Sequence, residues 1–211
     1  MILLASSAAF VGLIHSLAPG HWLPVVLMAK SRKWSIVNAL WGATVTASGH
    51  VFVSILLGGL ALFVGAELFV SHEEWIERYA GLGVGLFGLI YALRSFQKHS
   101  HCHGHTHHGP QPKKKEKKSP YRFLFLLGFS PCVAVLPVFA AAAPQGSFAV
   151  VLTMMGFAVG VLSALAGATL SVHFGVMKLD HPVFEHYGDV ITGAGVFLMG
   201  LLLFLTPEWF H

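Results

Sequence analysis

Apolar residues fall into six long blocks along this chain, separated by short polar breaks. Blocks near 20 residues long read as membrane spans. The first runs from about Ile2 to Ala29 with no Asp, Glu, Lys or Arg, and Pro19-Gly20 interrupts it. Proline removes a backbone donor and glycine relaxes the backbone, so two helical pieces are predicted there. The second block runs from Ser35 to Val64. Both exceed what a bilayer needs, so each must tilt, kink or protrude. Ser71-His72-Glu73-Glu74 has the form of a capping box, which predicts a helix start leading through Trp75 into a third span, Tyr79 to Leu93. The fourth block, Phe123 to Ala143, contains Gly128-Phe129-Ser130-Pro131-Cys132 and ends at a tight turn, Pro144 to Ser147. The fifth covers Phe148 to Val172 and stops at His173. Asp180-His181-Pro182 is a helix start before a sixth, about Tyr187 to Leu205, and Pro207-Glu208-Trp209 ends the chain at an interface.

Between the third and fourth blocks lies the longest polar stretch, 94–122. It has no apolar periodicity and is expected to be disordered. The two sides of it echo each other. Gly12 to His15, Pro19 and Leu23-Pro24-Val25 parallel Gly128, Pro131 and Leu136-Pro137-Val138, with a one-residue difference in register. Glu77-Arg78-Tyr79 likewise parallels Glu185-His186-Tyr187. Three spans per half is an odd number, so the halves must be inverted. The expected fold is an all-α polytopic membrane protein, six transmembrane helices as two inverted three-helix repeats with broken first and fourth helices. Its divisions are 1–93, a loop at 94–122, and 123–211.

Basic residues sit in every second loop: Lys30, Arg32 and Lys33; then Arg94, Lys98, five lysines and Arg122; then Lys178. The positive-inside rule puts both termini outside and the 94–122 loop in the cytoplasm, in a multi-pass inner-membrane protein. Composition agrees: 55% of the 211 residues are hydrophobic, 10% are charged and mean hydropathy is +0.70. A soluble domain is excluded. The net charge of +4 lies in loops, so it marks topology and lipid headgroup contact rather than nucleic acid. The N-terminus lacks a basic n-region, so the first block reads as a retained span. A homo-oligomer is compatible with all of this.

Chemistry enters with the histidines. His15 and His21 flank the predicted break inside the first block. Ionisable groups in a span are costly unless bound or paired, and irregular backbone survives there only where it lines a cavity. Two neutral imidazoles at such a break read as transition-metal ligands. The 94–122 loop carries His99, His101, Cys102, His103, His105, His107 and His108, flexible groups dense enough to collect metal loosely as a cytoplasmic antenna. Asp189, placed near the start of the last span, reads as a proton carrier or counter-charge, or as a headgroup-level carboxylate.

His15-Ser16-Leu17-Ala18-Pro19-Gly20-His21 resembles the H-G-L-E-P-G-H motif of the NicO family, the RcnA-type nickel/cobalt efflux permeases. Thr44 to His50 resembles that family's second-helix motif, and Gly128 to Cys132 its G-L-I-P-C motif. Urease-accessory-like membrane proteins are related. The resemblance implies a permease exchanging Ni²⁺, Co²⁺ or a similar ion (Zn²⁺, Cu²⁺, Cd²⁺) against protons, with the ion as cargo and no permanent cofactor. It adds His50 to His15 and His21 as metal-handling residues, with Cys132 as a fourth ligand or close neighbour. The family's acid is Ala18 here, which leaves the site more neutral.

Two other readings stand beside it. One is a non-transporting metal-accessory or sensing membrane protein. The other is a membrane thiol-redox carrier, which needs cysteines that exchange. The chain has two, Cys102 and Cys132, and only Cys132 falls in a span. No H-E-x-x-H is present and no enzyme activity is expected.

Overall fold

The computed structural model describes residues 1–65, 71–100, 120–130, 132–177 and 182–205. These residues form helices without strands: α1 (Ile2–Ser16), α2 (Pro19–Ser31), α3 (Ile36–Val64), α4 (Glu73–Ser100), α5 (Pro120–Leu127), α6 (Leu136–Ala142), α7 (Ser147–Met177) and α8 (Pro182–Leu205). Four of them, α3, α4, α7 and α8, are long and apolar enough to cross a membrane. The pair α1 and α2 makes a fifth crossing if taken together, bent by 56°. The fourth apolar block is not one helix. It is α5, a break at Gly128 to Ser130, a 3-10 turn at Val133–Val135, then α6. The coarse expectation of a polytopic helical membrane protein therefore holds, with four or five crossings by length and composition.

The first break follows from proline chemistry. Pro19 cannot donate to the carbonyl of His15, and it forces Ala18 out of the helical region, to φ −56° and ψ 133°. Pro19 then opens α2, where its missing N–H costs nothing. The break frees carbonyls, and two local donors recover them. The amide of Ala18 donates to His15 O at 3.2 Å, and the indole Nε1 of Trp22 donates to Leu17 O at 2.9 Å.

Helix α3 shows how the bundle is built. Its small and polar residues Gly42, Thr46, Gly49, His50, Ser54 and Gly58 are buried, while Val37, Trp41, Phe52, Leu56 and Phe63 face outward. An outward apolar face is what lipid requires, and small residues let neighbouring backbones approach. The Gly156-x-x-x-Gly160 pair of α7 does the same for α1: a Cβ at either position would collide with the carbonyls of Ala5 and Ala9. Helix α4 lies along α8, and α2 also packs on α8. The core sits between these contacts, with Val25, Met28, Ala47, Leu124, Cys132, Phe139 and Phe157 in one buried cluster.

Two expectations need correction or a boundary. The third long helix starts at Glu73, within the Ser71 to Glu74 stretch that predicted a helix start, and the hydroxyl of Ser71 lies 3.0 Å from Nδ1 of His72. His72 O accepts from the amide of Ile76 in its first turn. Helix α4 extends past Leu93 through His99 to Ser100, so residues 94–100 of the polar stretch, expected to be disordered, are helical. His101, Cys102, His103, His105, His107 and His108 lie outside the described residues.

Candidate functional site

Four residues that are scattered in sequence meet at the two breaks. His15 is in the last turn of α1 and His21 in the first turn of α2, so the 56° bend turns both rings toward one point. His50 reaches it from the middle of α3 and is fully buried. The ring centroids form a compact triangle: 5.0 Å for His15–His21, 5.5 Å for His15–His50 and 4.8 Å for His21–His50. Cys132, fully buried, arrives from the second break, and ligand atoms of His15, His50 and Cys132 lie within 4.8 Å of one another. Phe157 of α7 walls the site, with its ring 6.1 Å from that of His50.

The second break is pinned to α3 by backbone contact. A Cβ on Gly49 would strike the carbonyl of Phe125, and one on Gly128 would strike the carbonyl of Thr46 and lie 2.9 Å from the amide of His50. No residue larger than glycine fits either place without moving a main chain. One turn beyond His50, the hydroxyl of Ser54 accepts from the Cys132 amide at 3.1 Å. Thr46, His50 and Ser54 are spaced by four and so share one face of α3. That face supplies a ring and an acceptor to a segment that has lost its own helical hydrogen bonds.

The imidazoles carry the unusual feature. Both ring nitrogens of His21 and both of His50 are buried and make no hydrogen bond among the described residues. The backbone of Ala18 lies beside His21, and that of Gly128 and Ser130 beside His50, without closing a bond of normal geometry. Buried polar groups are almost always partnered, so these nitrogens single out the cluster as the candidate site. A soft or borderline cation would take one nitrogen of each ring and leave the other N–H to the backbone beside it, and a neighbouring imidazole is also a base for the Cys132 thiol.

Asp189 sits elsewhere. It accepts from Arg32 Nη2 at 3.2 Å, and the Ser31 hydroxyl lies 3.5 Å from it, so it ties the end of α2 to the start of α8. Both charged partners are about one-third exposed, at 35% and 34%. This fits a headgroup-level carboxylate. Ser54 and Phe157 belong to the site without having been singled out in the sequence. The four-residue spacing from Thr46 through His50 to Ser54 is the signal that carried Ser54.

Residues 7–202 match the model of a family described as cytochrome C biogenesis protein transmembrane region. No curated protein and no solved structure matches the chain. The family is one of thiol-redox membrane proteins, so the assignment to the NicO family is overturned, and with it the reading as a Ni²⁺/Co²⁺ efflux permease. The resembling motifs describe how a helix breaks beside a histidine or a cysteine. A break of that kind serves any protein that must place a polar group at membrane depth, so it does not specify what is handled there.

Proposed function

The chain belongs to the family of the cytochrome C biogenesis protein transmembrane region, and on that premise we propose that it carries out thiol–disulfide chemistry in the membrane, with Cys132 as the reacting sulfur. The observation that carries the reading is the placement of Cys132: a buried thiol at a helix break, beside the imidazoles of His15 and His50. The thiolate is the nucleophile in exchange, and an adjacent imidazole is the base that produces it.

In the reaction, the Cys132 thiolate attacks one sulfur of a partner disulfide. That bond breaks, the second partner sulfur leaves and takes a proton, and Cys132 is held in a mixed disulfide. A second thiol then attacks the mixed disulfide, so two electrons pass per cycle. Of the chain's two cysteines only Cys132 falls in an apolar block, so the thiol that attacks its sulfur and releases the reduced partner is either Cys102, in the polar loop, or a thiol of a second partner.

The finer architecture we read as two inverted three-span repeats, 1–93 and 123–211, joined by a cytoplasmic loop with both termini outside. The packing pattern supports it. Helix α1 packs on α7, the second span of the other half, while α5 and α6 pack on α3, its counterpart; α3 meets α7, and α4 meets α8. Exchanging the halves preserves these pairs, though not the packing of α2 on α8, in keeping with a repeat.

The test is acid-quenched alkylation of membranes with a mass-shifting maleimide after oxidation or reduction. Cys132 is expected to change its labelling between the two conditions, and a Cys102→Ser chain is expected to accumulate or lose a mixed disulfide that runs through Cys132. If Cys132 labels identically throughout and no mixed disulfide forms in any variant, the exchange reading is wrong.

A further inference from the structure

The exchange reading uses Cys132 and one imidazole as a base. It leaves His21 and the remaining ring nitrogens without a task, although they are the most costly groups in the site. We propose that His15, His21, His50 and Cys132 together hold one resident monovalent soft metal ion, Cu(I). The proposal concerns the reduced form of the site: the ion sits on the Cys132 thiolate and must leave that sulfur before it can form a mixed disulfide, so binding and exchange are read out separately.

Geometry and charge both point to it. Donor atoms of His15, His50 and Cys132 lie within 4.8 Å of one another, and the His21 ring borders that group, with centroids 5.0 Å from His15 and 4.8 Å from His50. The ring nitrogens of His21 and His50 are buried and have no hydrogen-bond partner among the described residues. His50 is entirely buried, so water is not its solvent.

The donor set is three neutral imidazoles and one thiol. Among the described residues no carboxylate joins the cluster, and Asp189 is engaged by Arg32. A thiolate therefore supplies the site's single negative charge. With Cu(I) the filled site is neutral. With Zn²⁺, Co²⁺ or Ni²⁺ it retains a full positive charge in a low-dielectric interior, where unneutralised charge is strongly disfavoured. Thiolate softness selects in the same direction, toward Cu(I). Ala18 matters here as well: an acid at that position, next to Pro19, would have brought the second negative charge a divalent ion needs.

Cu(I) binding is measured on the purified full chain in detergent, under anaerobic reducing conditions, against a Cu(I)-specific chromophoric chelator. To silence the loop, His99, His101, His103, His105, His107 and His108 are changed to Ser, along with Cys102→Ser. This chain is expected to retain one Cu(I) through desalting, to keep it against excess Zn²⁺, and to show both sulfur and imidazole neighbours by X-ray absorption. On that background Cys132→Ser and His21→Gln are each expected to weaken binding by about 100-fold or more, since groups that merely orient a ligand already cost about 10–100-fold. His21 is only half-buried, so its variant serves if the Cys132 variant does not fold. The proposal is overturned if the loop-silenced chain keeps no stoichiometric Cu(I), if Zn²⁺ displaces it, or if the variants that fold retain the parent affinity. Loss of Cu(I) binding with intact redox-dependent labelling of Cys132 would remove this inference and leave thiol exchange standing.

Discussion

Ser54 illustrates what one hydroxyl can do inside a membrane protein. Thr46 returns its hydroxyl to its own helix, at Gly42 O, as Thr44 does at Leu40 O. Ser54 instead accepts from the Cys132 amide, 78 residues away. Ser54→Ala should strand that buried N–H, lowering stability by about 1 kcal/mol and changing the labelling rate of Cys132. A thermal melt in detergent and timed alkylation measure both, and Ser54→Thr should preserve them. An unchanged melt and rate would mean that the amide finds another acceptor. The i, i+4, i+8 row of Thr46, His50 and Ser54 is visible in the sequence, but its purpose is not. A serine in a span satisfies itself on its own backbone unless a broken segment comes within reach, and no local pattern reports that.

At the scale of elements, the two breaks and the glycines that seat them hold the site together. Pro19 ends α1 by removing a donor, a cause that is written in the sequence. The second break depends on its fit against α3 at Gly49 and Gly128. Gly128→Ala should cost about 1–3 kcal/mol, since its Cβ meets main-chain atoms that cannot rotate aside. Gly59→Ala is the control. That glycine lies on the same helix as Gly49 with nothing within 4 Å, so alanine there should be neutral or stabilising, by up to about 1 kcal/mol. Unfolding midpoints and gel-filtration monodispersity separate the two. Equal behaviour of both variants would show that the α3–α5 approach is not tight. The sequence marked both interruptions but could not say that they converge, because convergence is a property of how four helices pack.

The whole molecule is turned outward for lipid. Ile2, Phe63 and Leu198 are largely exposed, while Thr46, His50, Ser54, Thr153 and Thr192 are buried. Arg32 and Asp189 clip α2 to α8 at the bundle's edge. Each is about one-third exposed, so the pair is expected to contribute only up to about 1 kcal/mol. In a double-mutant cycle, Arg32→Asp and Asp189→Arg should each destabilise slightly and together restore the parent melt. If the two losses simply add, the ion pair contributes nothing. Orientation is a separate question. Membrane-impermeant labelling of Cys102 in sealed vesicles should report it on the cytoplasmic side, in keeping with the basic loops. Labelling from the opposite side would invert the topology.

The sequence by itself determined that the chain lives in a membrane, around which apolar blocks its long helices form, and that the first and fourth apolar blocks are interrupted. Those are consequences of hydropathy and of proline and glycine chemistry, which act within a turn or two of the residue that carries them. It also supplied His15 and His21, from two imidazoles flanking a helix break in an apolar block, and His50 and Cys132 through a resemblance that pointed to the wrong family. Only the tertiary structure decided that these four meet, that Asp189 does not join them, and that Ser54 and two glycines fix the meeting place. Convergence of side chains from α1, α2, α3 and the α5–α6 break depends on close approach of backbones far apart in the chain, and one-dimensional patterns carry no record of that distance.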